Sequence, residues 1–287
     1  MTSRPLAAMS PEAEEFLAAS DFPSTKSLAE MPIAEIRRVT YEACRFASER
    51  AVESHGVTCA DTEIAGISCM RVTPDVERDQ RQILYLFGGG FIQGSPFEDL
   101  PITAALAAKT GATIIAPQYR LAPEHPFPAA LDDVTAVGQA LLSKYPETLL
   151  AGESAGGNLA LALVHRLRGQ RHVVPRAIAA LSPTVDLDHL GDSQIADRDP
   201  VLQLSRSGDV RAAYLGNADA RQPDVSPIYG KFDPSFPPTL VTTGTRDLLL
   251  SGCARLARVM REAGAPIDFP LLGFKPSSSR RNRFSAS

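Results

Sequence analysis

The sequence predicts an α/β fold, with a mostly parallel, twisted sheet, helices on both faces and an N-terminal helical cap. Two observations carry that prediction. From Thr62 onward, short apolar segments of strand character alternate with segments of helical period, the pattern of a parallel sheet covered on both sides. The 287 residues, 44% of them hydrophobic and 22% charged, suffice to bury one large core.

Composition narrows the function. A net charge of −4 and a pI near 5.8 leave no basic face for nucleic acid. Cys44, Cys59, Cys69 and Cys253 lack C-x-x-C spacing, so reduced thiols are expected rather than a disulfide framework. No apolar run reaches spanning length, and the N-terminus turns acidic too early for a signal peptide. The chain is therefore expected to be soluble and cytoplasmic, without a membrane span. Asp132-Asp133 opens no metal-ligand pattern, so no metal site is expected.

The elements follow in order. Residues 1 to 55 are expected to form a helical cap region. Ser10-Pro11-Glu12 has the residues of a helix start, and Pro32–Val52 carries an apolar face of Ile33, Ile36, Val39 and Phe46. Residues 56–274 are expected to form the core. Its strands are Thr62–Ile67, Cys69–Thr73, Gln82–Phe87, Ala112–Pro117, Thr148–Ala151, Ala177–Leu181, Thr239–Thr243 and Ile267–Leu272. Leu100–Thr110, Pro128–Tyr145, Ala155–Gly169 and Ser251–Gly264 are its helices. The stretch 186–233, rich in Asp, Pro, Ser and Gly with a short helix near Arg206–Tyr214, is a cap insertion over the carboxyl edge of the sheet, where clefts form. Residues 275–287 form an irregular, Ser- and Arg-rich tail.

Two stretches carry chemistry. Thr148–Leu159 runs from an apolar strand through Gly152-Glu153-Ser154-Ala155-Gly156 into a helix. Such a strand–turn–helix is a nucleophile elbow that presents a serine hydroxyl at the turn. The glycines allow strand and helix to approach closely, and the helix N-terminus aims free N–H groups at the same place. The second stretch is Gly88-Gly89-Gly90, directly after a strand. Exposed amides after a strand suit the negative oxygen of an acyl-transfer intermediate. Oxyanion-hole roles are assigned to the N–H groups of Gly88, Gly89 and Ala155, with Ser154 as nucleophile.

These motifs, in this order, resemble the hormone-sensitive-lipase family of bacterial carboxylesterases, of the α/β-hydrolase fold. The resemblance is carried by Phe87-Gly88-Gly89-Gly90-Phe91, Gly94-Ser95-Pro96, the run Tyr119–Pro128, Gly152–Gly157, Leu181-Ser182-Pro183, Asp199-Pro200 and Gly244-Thr245-Arg246-Asp247-Leu248. It implies hydrolysis of short- to medium-chain acyl esters without a cofactor, with a small-molecule ester as the partner and a homodimer as the possible assembly. It also implies that Asp247 is the triad acid, in keeping with the Ser, Asp, His chain order.

Three positions depart from the family pattern. No histidine follows His189 in the sequence, and the place where the family carries its triad histidine falls near Ser277. The segment there resembles a frame-shifted or truncated end, or a disordered tail. Phe87 stands where the family has histidine, and Gln118 where it often has aspartate. Of the five histidines, His125 belongs to a stretch that family members keep beside their triad histidine, His165 sits well down the elbow helix, His172 in a basic connector and His55 at the end of an N-terminal helix. His189, in the insertion, is the candidate whose loop could reach the cleft. The chain is accordingly expected to be an impaired esterase; the alternative is a non-catalytic pseudo-hydrolase that binds hydrophobic or acyl ligands.

Overall fold

The computed structural model describes residues 31–188, 190–194, 199 and 204–272. The expected helix start at Ser10, the weak candidate His189 and the tail 275–287 lie outside the described residues. Helix α1 (Ile33–His55) leads into strands β1 (Val57–Ile64), β2 (Ile67–Pro74) and β3 (Asp79–Leu86). Next come α2 (Leu100–Thr110), β4 (Ala112–Pro117), α3 (Ala129–Lys144), β5 (Leu149–Glu153), α4 (Ser154–Gly169) and β6 (Ile178–Leu181). The chain continues through a 3₁₀ turn (Asp192–Gln194), α5 (Leu204–Leu215) and a second 3₁₀ turn (Pro227–Tyr229) to β7 (Thr239–Gly244), α6 (Leu250–Glu262), β8 (Ile267–Asp268) and β9 (Leu271–Leu272).

One nine-stranded sheet runs in the order β1-β2-β4-β3-β5-β6-β7-β8, with β9 also pairing with β7. Pairing is antiparallel from β1 to β4 and parallel thereafter, the mostly parallel α/β sheet that the alternation of elements predicts. Its centre is buried on both faces: every residue of β4 is buried. Helix α4 is apolar nearly all round, and Leu159, Leu161, Leu163, Val164 and Leu167 lose all contact with solvent. A helix with that composition belongs in the middle of a core.

Two strand boundaries differ from expectation. Thr62–Ile67 is not one strand: Ala65 and Gly66 turn there with φ of 52° and 79°, and β1 instead reaches back to Val57. Most of β1 is exposed at the sheet edge, so its sequence lacks the apolar alternation that marks a half-buried strand. The stretch Ile267–Leu272 is likewise split into β8 and β9, with Phe269-Pro270 between them. Proline has no N–H for a ladder and is kept out of strand interiors.

Helix α1 ends at Gly56, whose φ of 58° is the left-handed conformation of a helix stop. Its Arg37 donates to the carbonyls of Ile92 at 2.7 Å and Ala122 at 3.0 Å, and pairs with Glu124. One side chain thus ties the N-terminal helix to the loops after β3 and β4.

Candidate active site

The strand order sets three loops side by side. Strands β3, β5, β6 and β7 are consecutive parallel neighbours, so the segments leaving their carboxyl ends share one edge. The glycine run follows β3, Ser154 follows β5 and Asp247 follows β7. Clefts of open α/β sheets form at that edge.

Ser154 opens α4 with φ of 52°. A non-glycine residue in the left-handed region is strained, and such strain persists where the surrounding structure enforces it. Here the enforcement is steric. A Cβ on Gly156 would lie 2.0 Å from the Leu86 carbonyl oxygen and 2.4 Å from that of Phe87; one on Gly152 would lie 2.5 Å from the Gly156 oxygen. Beyond the turn, the Thr184 N–H donates to the Ser154 carbonyl at 3.0 Å. Asn158 Nδ2 donates to the carbonyls of Thr184 and Val225 at 2.7 and 2.8 Å, fixing the elbow helix to the loop after β6. Ser154 itself is half-buried, not sealed in the core.

The glycine loop is held from several sides. Tyr119 Oη donates to the Phe87 carbonyl at 2.7 Å, and the two rings stack with centroids 4.0 Å apart and planes 5° apart. Phe87 therefore anchors the loop by ring packing and through its carbonyl, in the position where an imidazole was expected. Gly89 and Gly90 have φ of 110° and 64°. The N–H groups of Ile92 and Gln93 close onto the Gly89 carbonyl at 3.2 and 3.1 Å. From above, Tyr214 of α5 stacks on Phe91 at 3.7 Å, and a Cβ at Gly90 would meet Val210 Cγ1 at 2.8 Å.

The first glycine amide has a different role from the one assigned from sequence. Gly88 N–H donates to Asp99 Oδ2 at 3.4 Å, which takes it out of the set of unoccupied donors. The amides of Gly89, Gly90 and Ala155 have no acceptor among the described residues. Gly90 was missed because a run of three glycines gives no internal clue to which amide is tied down.

Asp247 is built for a fixed carboxylate. Its Oδ2 accepts the Thr243 hydroxyl at 2.6 Å and its Oδ1 the Leu249 N–H at 2.8 Å. The next residue, Leu248, donates its N–H to Asp199 Oδ2 at 2.8 Å, so Asp199 of the Asp-Pro motif braces the same turn.

Near these loops lies a pair of half-buried acids. Asp99 precedes α2, yet its carboxylate does not cap that helix; Oδ2 accepts from Tyr85 Oη at 2.9 Å as well as from Gly88. Burial pushes Asp99 up to about 6, against the lowering effect of those two bonds. It pushes Glu153 up to about 8, with repulsion from Asp99 and Asp247 adding to the shift. Tyr85 and Tyr119 are driven far above the usual phenol range, chiefly by burial, and remain protonated donors. Sequence reasoning missed Asp99 and Tyr85; the one available signal was an aspartate immediately before a helix that follows a glycine loop.

The histidines divide simply. His165 is half-buried on α4 against Phe232 and Phe236, with its buried Nε2 unpartnered among the described residues; desolvation lowers it to about 4. His125 and His172 are exposed, and His55 closes α1.

Comparisons agree with this geometry. A family model described as the alpha/beta hydrolase fold matches residues 83–272. An acetyl-hydrolase of Streptomyces hygroscopicus is 32% identical over 240 residues, covering 82% of this chain and 79% of that protein. An esterase of Acinetobacter venetianus is 29% identical over 242 residues, covering 82% and 78%. Among solved structures, a hormone-sensitive lipase from a metagenome library superimposes with a TM-score of 0.81 at 31% identity, over 91% of this chain and 86% of that one. An esterase from the bacterial hormone-sensitive-lipase family gives 0.82 at 27% identity, over 94% and 90%. No helix among the described residues is long and apolar enough to cross a membrane. With its elbow, glycine loop and sheet, the chain belongs to the hormone-sensitive-lipase family of α/β-hydrolase esterases, carboxylesterase-type serine hydrolases.

Proposed function

We propose that Ser154 is the nucleophile of an esterase for short- to medium-chain acyl esters, that Asp247 is its acid, and that these 287 residues hydrolyse esters slowly because the histidine of the triad is absent. The observation that carries the reading is the elbow: Ser154 at φ 52°, at the N-terminus of α4, with the Ala155 amide and those of Gly89 and Gly90 unoccupied by the described residues.

The chemistry follows from those groups. Ser154 Oγ attacks the ester carbonyl carbon and loses its proton to a base. The carbonyl oxygen, now negative, collects the amides of Ala155, Gly89 and Gly90. Collapse expels the alkoxide, which takes up a proton, and water then hydrolyses the acyl-serine. In the family order the base is a histidine oriented by the acid. The sequence holds none after His189, so Ser154 is left unactivated and a weak nucleophile. Catalysis then falls to what binding and the oxyanion donors supply, about 10³–10⁴-fold over water.

The test is p-nitrophenyl butyrate hydrolysis by the 287-residue chain and by Ser154→Ala, with and without added imidazole. Slow turnover that needs Ser154 and rises with imidazole is the expected result. Imidazole in solution stands in for the missing side chain, and the Ala variant subtracts its direct attack on the ester. No Ser154-dependent turnover under any condition would replace this reading with that of a ligand-binding pseudo-hydrolase. Fast turnover without imidazole would overturn the impairment and direct attention to His189.

A further inference from the structure

Gly88 is gripped between two acids. Its N–H points at Asp99 Oδ2, 3.4 Å away. Its α-carbon lies so close to Glu153 that a Cβ there would be 1.3 Å from Oε1 and 2.3 Å from Cδ. A side chain at this position would have to push the Glu153 carboxyl aside. Asp99 receives a second donor, Tyr85 Oη at 2.9 Å, whereas the Glu153 carboxyl has no hydrogen bond to the described residues.

We propose that Asp99 and Glu153 are positioning residues for the glycine loop: ionised Asp99 pins the Gly88 amide, and protonated Glu153 packs against the Gly88 α-carbon, so that the Gly89 and Gly90 amides keep their place. The clamp deepens the esterase reading in one respect only, since that reading gives the held amides their use; the clamp itself is a statement about the loop.

The charges explain why one proton stays with the pair. Around Glu153 stand Asp99 from the start of α2, Asp247 from the turn after β7 and the phenols of Tyr85 and Tyr119, with burial as the largest effect. Asp99 faces Glu98, Tyr85 and the Cys44 thiol of α1. The charges that act on the pair, Glu98 on Asp99 and Asp99 with Asp247 on Glu153, are negative. Two neighbouring, half-buried carboxylates cannot both ionise cheaply. They titrate as a pair. Asp99, with two donors, takes the charge; Glu153, with none, keeps the proton through neutral pH. Ionising Glu153 in mildly alkaline solution sets a second negative charge against Gly88, beside the amides meant to receive an oxyanion.

Amide hydrogen exchange at Gly88, read by ¹H–¹⁵N NMR on the full chain from pH 6 to 9.5 and corrected for intrinsic exchange, tests this without reference to catalysis. In the wild type, Gly88 protection should fall about tenfold across the Glu153 titration, the effect of about one pKa unit of linkage. The buried Ile114 amide of β4 is the control and should show no step. Glu153→Gln, a permanent mimic of the protonated acid, should abolish the step, and Asp99→Asn should leave Gly88 poorly protected at every pH. A wild-type profile without a step overturns the proposal by itself, whether or not the variants fold. So does a step that survives in Glu153→Gln. Imidazole-supported turnover separates the two readings: a clean step with no Ser154-dependent hydrolysis removes the esterase and leaves the clamp, while hydrolysis with a flat Gly88 profile does the reverse.

Discussion

The Tyr119 hydroxyl donates to the Phe87 carbonyl at 2.7 Å while the two rings lie face to face, centroids 4.0 Å apart. Both side chains are buried, so hydrogen bond and ring contact are set in a dry core where neither can be exchanged for water. Phe87 immediately precedes the glycine run, and fixing its carbonyl fixes the peptide plane from which the loop departs.

Tyr119→Phe separates those two contributions. It keeps the stacked ring and removes the donor, leaving a buried carbonyl unsatisfied, which costs about 1–3 kcal/mol. Thermal melting should drop accordingly. Imidazole-supported turnover of p-nitrophenyl butyrate should lose kcat with little change in KM, because a loosened loop weakens the oxyanion contact more than ground-state binding. An unchanged kcat would show that the loop is held sufficiently by Arg37, Asp99 and the Gly89 turn.

Two glycines of α4 should respond in opposite ways to the same added methyl. At Gly156 a Cβ would fall 2.0 Å from one backbone oxygen and 2.4 Å from another; backbone cannot move aside as a side chain does, and the cost should reach or exceed the 1–3 kcal/mol of ordinary overpacking. At Gly169 nothing lies within 4 Å, and relief of glycine's conformational entropy should stabilise the helix by up to about 0.5–1 kcal/mol. Gly156→Ala is expected to melt well below the wild type or fail to accumulate, and Gly169→Ala to melt at or slightly above it. Equal melting of the two variants would remove close strand–helix approach as the reason for the elbow glycines.

What could be read from the sequence was what a period or a local turn encodes. Buried strands such as Ala112–Pro117 and the helix Leu100–Thr110 came out at their observed bounds, because their burial leaves an apolar signature. The edge strand β1 did not, since an exposed strand has no reason to alternate. The elbow was legible because Gly152, Ser154 and Gly156 stand within five consecutive residues between a strand pattern and a helix pattern, even though the carbonyls that exclude a side chain at Gly156 belong to Leu86 and Phe87 of the neighbouring β3 segment. The grip on Gly88 was not, because Asp99 lies eleven positions away in the chain (|i−j| = 11) and Glu153 reaches the loop from another strand. Which of three glycine amides is occupied depends on that long-range pairing alone. Phe87 illustrates the same limit. As a letter it is a lost hydrogen-bonding side chain; in the fold its carbonyl and ring face supply the anchorage.

Glu153 should tilt the stability of the whole protein with pH. Its folded-state value, about 8, lies above its ordinary one, so the folded chain holds a proton that the unfolded chain has given up. Stability attributable to this group therefore falls as pH rises through the window between the ordinary carboxylate value and about 8, then levels off. Glu153→Gln lacks that loss. Its advantage over the wild type in chemical denaturation should be small near pH 5, grow toward pH 8 and stay constant above it. A difference that does not vary with pH would mean that Glu153 ionises in the folded protein as it does in water.

His165 tilts stability the other way. Burial lowers its imidazole to about 4, and its ring sits between Phe232 and Phe236, with a Cβ at Gly230 only 2.2 Å from Cε1 and Nε2. The folded state binds its proton less readily than the unfolded state, so stability is complete above the ordinary histidine range and is lost as pH falls through about 6.5 toward 4. His165→Leu removes the titrating group. Its absolute stability should be lower, since the aromatic contacts go with the ring, but the stability difference from wild type should shrink steadily between pH 7 and pH 4.5. Because the ring is enclosed by phenylalanines well down the elbow helix rather than beside Ser154, the variant should also keep its imidazole-supported turnover. A loss of Ser154-dependent hydrolysis in a folded His165→Leu protein would identify this imidazole as a recruited base and contradict the neutral packing role that its surroundings impose.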